Sequence, residues 1–140
     1  MVRKHMNGFT LIEIMVVIVI LGILGALIVP NIMGRPDEAR VAVARSDIQA
    51  VGNALNLYKL DNFAYPDTNQ GLEALVKRPA NAEHWRTGGY LQKLPMDPWG
   101  HAYQYISPGA NGRDYDLYSY GADGAEGGDG AAADIASWNM

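Results

Sequence analysis

Cysteine is absent from this 140-residue chain, which excludes disulfide staples, thiol nucleophiles, thioether-linked haem and cysteine-ligated zinc or iron–sulfur centres. Charge is sparse, at 19% of residues, and cations are the scarcer sign: 11 Lys and Arg stand against 15 Asp and Glu. Without a clustered basic face there is no footprint for a phosphate backbone, so nucleic acid is not an expected partner. Catalytic motifs are missing as well. There is no Gly-rich phosphate loop, no HExxH and no G-x-S-x-G. His84 and His101 stand in turn-rich sequence with no acid or nucleophile motif beside them, and read as surface histidines. No enzyme is expected. The length allows one small domain and an appended segment.

What is present is a concentrated apolar run. A short basic opening, Arg3-Lys4-His5, precedes the 21 residues 9–29, which contain a single charge, Glu13. As a helix this run rises about 30 Å, one hydrocarbon thickness, and its basic flank predicts a cytoplasmic N-terminus. A cleaved secretory signal, a plain membrane anchor and a buried core helix are the competing readings. None of them explains Glu13, whose carboxylate costs roughly 2.5–3.5 kcal/mol if left at the centre of a bilayer. Such a group needs a partner or an interface.

The segment Gly8-Phe9-Thr10-Leu11-Ile12-Glu13 resembles the class III signal of type IV pilins and pseudopilins. Further blocks, YKLDNFAYP, TNQGLEALV, LPMDPWG and SYGADG, make nearly the whole chain similar to the major pseudopilins of the type II secretion system. The resemblance implies a prepilin with leader 1–8, cut after Gly8 by a prepilin peptidase and N-methylated on Phe9. It implies an assembly helix over 9–29, in which Glu13 neutralises the amino terminus of a neighbouring subunit. It implies a single-pass inner-membrane precursor, N-terminus cytoplasmic, that becomes a homopolymeric periplasmic filament. The implied partners are the inner-membrane assembly platform, minor pseudopilins and secreted proteins. A type IV pilus or competence pilin, the alternative, would share Gly8, Phe9 and Glu13, but such proteins commonly close their C-terminal region with a cysteine pair.

Pro30 ends the apolar run. Either the helix stops near residue 29 with a linker over 31–36, or it continues past a weak point, as the resemblance implies. Over 30–60 the pattern turns amphipathic: Val41, Ala44, Ile48, Val51, Leu55 and Tyr58 recur at spacings of three and four, one face of a helix. Residues 61–140 read as a globular head. Asp61 to Pro66 breaks the helix, a short helix follows Thr68, DPWG marks a turn, and residues 103–106 and 115–120 alternate like a β-hairpin. The expected fold is α+β, a long N-terminal helix packed on a small antiparallel sheet.

A head of this size without disulfides calls for a staple. From Asp114 onward every charged residue is acidic, and the Gly-rich stretch 121–130 cannot order itself by apolar burial. Composition leaves two readings open: a bound cation, or a solvated acidic tail. The resemblance implies Ca²⁺ in a C-terminal loop. Asp123 and Asp134 carry over as side-chain ligands, with backbone carbonyls near Tyr120 and Ala125. Asp129 or Glu126 is left to supply a further carboxylate.

Overall fold

The computed structural model describes the backbone of residues 8–32 and 35–140, and the side chains of residues 8–27 and 36–140. The expected leader up to residue 7 and the side chain of Pro30 lie outside these. Two helices come first, α1 (Leu11–Ile32) and α2 (Arg35–Asn62), followed by strands β1 (Gln104–Ile106), β2 (Asp116–Ser119) and β3 (Ile135–Ala136). The chain divides into two compact units after Pro36.

The first unit is essentially α1. Its helix runs through position 30 to Ile32 rather than stopping near residue 29, and α2 begins at Arg35; residues 33 and 34, within the expected linker, lie outside the described residues. Every side chain described in α1 is exposed. In the second unit, α2 starts with Asp37 and Glu38 in its first turn, where carboxylates complement the helix dipole. It buries the face expected from its spacing: Ala44, Ile48, Val51, Leu55 and Tyr58 are buried, Ala54 joins them, and Val41 packs at the edge. The other side of the core is Ala74, Leu75, Ala82, Tyr103, Leu117 and Ile135. Trp99 packs against this cluster as a half-buried core residue.

The sheet is antiparallel in the order β1-β2-β3. Tyr105 pairs with Leu117, and Ser119 pairs with Ile135. Leu117 and Ser119 therefore share one face of β2, turned into the core and fully buried. Asp116 and Tyr118 point to the other face.

Three elements differ from expectation. The helix ends at Asn62 rather than before Asp61, because the Phe63 amide bonds back to the Lys59 carbonyl at 2.7 Å. The short helix after Thr68 is only a 3₁₀ turn, Leu72–Leu75. Asp67 and Gln70 bond each other's backbone amides at 2.8 and 2.9 Å and close a separate turn ahead of it. Finally, β3 was not expected: it is two residues long, too short for alternation to show in a sequence.

Candidate functional site

The first site is the start of α1. Gly8, Phe9 and Thr10 precede the helix in non-helical conformation, all exposed, with the Phe9 ring 82% accessible. Among the described residues, nothing comes within 4 Å of a β-carbon built at Gly8, and none covers the peptide bond between Gly8 and Phe9. Thr10 caps the helix: its Oγ1 accepts from the Glu13 amide, and the Glu13 carboxylate accepts from the Thr10 amide, both at 3.3 Å. This reciprocal arrangement is a capping box, whose signature T-x-x-E before an apolar run is present in the sequence. Glu13 therefore has a local task that the charge argument alone did not reveal. It sits in the first turn, where a carboxylate is favoured by the helix dipole.

Behind it the apolar side chains of α1 are exposed on every side, Leu11 at 81% and Leu27 at 68% among them. Such a helix needs an apolar surround, since each large aliphatic side chain left in water forgoes about 1.5–3 kcal/mol. Among the described residues no helix is long and apolar enough to cross a membrane. Residues 11–27, the part with described side chains, rise about 25 Å against a hydrocarbon layer of about 30 Å.

The second site is the C-terminal loop between β2 and β3. It leaves the sheet at Gly121, which is buried with φ of 72°. A β-carbon there would lie 2.7 Å from the Ala133 carbonyl oxygen and 2.9 Å from that of Ala131. Only glycine fits, and the return arm of the loop presses its carbonyls onto the outgoing arm; the Ala122 amide bonds the Ala131 carbonyl at 2.9 Å.

Within this frame the expected ligands separate. Asp134 and Tyr120 line one cavity of about 230 Å³, together with Glu126, Asp116, Arg113 and Trp138. One Asp134 oxygen accepts from the Gly127 amide at 3.0 Å, while the other is buried with no partner. Asp123 instead accepts from the Ala125 amide at 3.1 Å, a local turn that orders the loop tip. Asp129 is exposed and precedes the 3₁₀ turn Gly130–Ala132. Among the described residues no three His, Cys, Asp or Glu side chains gather as a metal-binding group. The orphaned Asp134 oxygen and an oxygen-only set of expected donors nevertheless fit a hard cation.

Two supports for this loop were missed in the sequence. Asp97 of the DPWG turn has a fully buried side chain. One of its oxygens accepts from the Trp99 and His101 amides, at 3.1 and 2.7 Å, and the other accepts from Ser119 Oγ at 2.7 Å. Ser119 Oγ in turn accepts from the Gly121 amide at 3.1 Å. The turn thereby anchors the exit of the loop. His101 is partly exposed, as expected, but its ring packs over Gly124, where a β-carbon would meet it at 3.2 Å. On the opposite face of β2, Arg113 bonds Asp116 through two nitrogens, at 2.6 and 3.2 Å, and lies 4.3 Å from the Trp138 ring centre. The guanidinium holds the Asp116 carboxyl below the usual carboxylate range, against the opposing effect of burial.

Residues 31–138 match the family "Type II secretion system (T2SS), protein G", and residues 3–29 match the "Prokaryotic N-terminal methylation motif". The chain is similar to the type II secretion system core protein G of Pseudomonas aeruginosa, 61% identical over 142 residues, covering 99% of each chain. The core protein G of Vibrio cholerae serotype O1 is 54% identical over 139 residues, covering 98% of this chain and 94% of that one. The crystal structure of the major pseudopilin from the type 2 secretion system of enterohaemorrhagic Escherichia coli superposes with a TM-score of 0.68. It is 40% identical, and the match covers 79% of this chain and 96% of that chain.

Proposed function

The chain belongs to the protein G family of the type II secretion system, the major pseudopilins, and on that premise we propose how its parts serve assembly of the pseudopilus. The observation that carries the reading is α1: a capped helix, apolar on every described face, entered through an exposed Gly8-Phe9 bond.

Cleavage after Gly8 by a prepilin peptidase removes the basic leader and creates an α-ammonium on Phe9, four residues ahead of Glu13. The enzyme then N-methylates that amine. Before assembly the Glu13 carboxylate is occupied by the Thr10 amide, so the lone acid of the apolar helix does not enter the bilayer unpartnered. In the filament it turns to the amino terminus of a neighbouring subunit. In an apolar surround that pairing is strong, and losing one partner is costly. The apolar side chains of α1 partition first into the inner membrane and then into the filament core. Open head-to-tail association of identical subunits gives a helical polymer. Its growth from the assembly platform pushes folded exoproteins outward, with minor pseudopilins as further contacts.

The head is proposed to hold Ca²⁺ in the loop of residues 121–134. Asp134 and Asp123 would supply carboxylates, and the Tyr120 and Ala125 carbonyls backbone oxygens. Glu126, which shares the cavity with Asp134 as Asp129 does not, is better placed to add another carboxylate. The cation's chemistry would be structural, tying the arms of the loop together through their oxygens.

The test is intact mass and N-terminal sequencing of the membrane form, produced with and without the cognate prepilin peptidase. A product beginning at N-methylated Phe9 only with the peptidase is expected. A chain left unprocessed by an active peptidase would overturn the reading.

A further inference from the structure

Two polar side chains are sealed behind the start of the C-terminal loop. The Asp97 side chain has no accessible surface, and Ser119 is fully buried. Such groups are costly inside a fold unless their bonding sites are used. Here they are used in one direction. Asp97 only accepts: from the Trp99 and His101 amides through one oxygen, and from Ser119 Oγ at 2.7 Å through the other. A serine hydroxyl has a single hydrogen to give. Because Asp97 takes it, lone pairs alone are left to face the next group, and the Gly121 amide donates to them at 3.1 Å.

That amide belongs to the same peptide unit as the Tyr120 carbonyl. The unit is trans and planar, so its N–H and C=O point in opposite directions. With the N–H held on Ser119, the Tyr120 carbonyl is turned away from the buried hydroxyl. Nothing in the backbone itself enforces this orientation. Gly121 has φ of 72°, and a residue without a β-carbon accepts either sign of φ, so the unit is free to rotate about its flanking bonds. The following unit is already tied, through the Ala122 amide on the Ala131 carbonyl at 2.9 Å. Ser119 therefore decides a rotation that the glycine leaves open.

We infer that Ser119 is a positioning residue for the cation of the loop: its hydroxyl, set by Asp97, aims the Tyr120 carbonyl as a ligand oxygen. The inference rests on the proposed Ca²⁺ site, for which the Tyr120 carbonyl is an expected ligand; Tyr120 and Asp134 line the same cavity. Groups that orient a metal's ligands, without touching the metal, typically change its affinity by roughly 10–100-fold when removed. On this account the DPWG turn, 22 positions before Ser119, sets cation affinity while contributing no ligand of its own.

The test titrates the full chain in detergent with Ca²⁺ and with Tb³⁺, an ion that takes the same kind of oxygen site and is excited through nearby aromatic rings; Tyr118, Tyr120 and Trp138 line this cavity. Luminescence lifetimes in water and in deuterium oxide then count the waters on bound Tb³⁺. S119A is expected to weaken Ca²⁺ binding roughly tenfold or more, and to add about one water to the ion in place of the lost carbonyl. D97N keeps the size of the side chain. Its remaining oxygen serves the two backbone amides and its new NH₂ faces the hydroxyl, so both readings should move the same way. Melting in EDTA identifies the variants that fold. A hydroxyl that only supported the fold would lower the melting temperature of the metal-free chain and leave affinity and water count at their wild-type values. That result in either folded variant overturns the inference. A wild type that binds neither ion overturns the Ca²⁺ reading together with the inference, whereas a binding wild type matched by a folded variant overturns the inference alone.

Discussion

The two helices of this chain are of comparable length, 22 and 28 residues, yet they are stabilised by opposite means. α2 is ordered by what it covers: one stripe of small and aliphatic side chains goes into a core shared with Leu75, Leu117 and Ile135, and its other faces are exposed, polar residues alternating with Val43, Leu57 and Leu60. α1 buries none of its described side chains and keeps only a capped first turn of its own. A uniformly apolar helix is as helical as an amphipathic one, but its stabilising burial has to come from an apolar surround. Sequence changes in α2 should therefore be read in head stability, and changes in α1 in partition and assembly.

The sharpest break in that division is in the shared core. Leu55→Ala should destabilise the head by about 2–5 kcal/mol, measured by thermal or urea unfolding, because Leu55 is fully buried. Retention of wild-type stability would mean that α2 is not held by its buried stripe. Next comes Glu13→Ala, expected to leave insertion, cleavage and head melting intact while filament yield drops at least tenfold, or about 1.4 kcal/mol per tenfold. Normal filament yield from this variant would remove Glu13 from assembly and leave it only its capping role.

Removal of Ca²⁺ should affect the second unit alone. At millimolar Ca²⁺ and a dissociation constant of about 10⁻⁴ M, EDTA lowers head stability by about 1.4 kcal/mol. Asp134→Ala should melt like the chelated wild type and no longer respond to EDTA. An identical melting curve for the wild type with and without chelator would exclude the metal.

The Arg113–Asp116 pair predicts an acid limit. A carboxyl whose folded pKa is depressed contributes stability above its unfolded pKa near 4, and loses it as pH falls through the lower folded value. Melting temperature should therefore drop below about pH 4, and Arg113→Leu should flatten that drop. The smallest effect is expected for Ile18→Val, one methylene on an exposed face of α1: no change in head melting beyond about 0.5 kcal/mol, and about 0.8 kcal/mol in membrane partition.

How much of this was legible in the sequence depended on the length of each signal. Six positions at spacings of three and four identified the buried face of α2, because periodicity accumulates over several turns. The hairpin partners around Tyr105 and Leu117 were visible in their alternation. β3 was invisible because its buried pair, Ile135 and Ala136, is flanked by a loop whose shape comes from glycines and carbonyls. Thr10 and Glu13 spelled a capping box, but an acid in an apolar run drew attention to its charge and not to its oxygen as an acceptor. Asp97 was concealed differently. The DPWG turn accounts for an aspartate by itself, and nothing local announces that Ser119, 22 positions on, will seal it from water. For the expected metal ligands it was the resemblance, not spacing, that pointed to the loop, and the division between Asp134 in the cavity and Asp123 in its own turn depends on how the two arms close.

The position of β3 sets an order of events. Ile135 is in the same core as Ala44 and Ile48, and β3 pairs with β2, Tyr118 opposite Ala136 and Ser119 opposite Ile135. A chain synthesised from its N-terminus onward cannot seal this core until residue 136 has been released. Until then Leu117 has one flank uncovered, and the nascent head is a substrate for chaperones and proteases. Sealing of the head therefore comes last, and a head that has sealed reports that its whole length through β3 is in place.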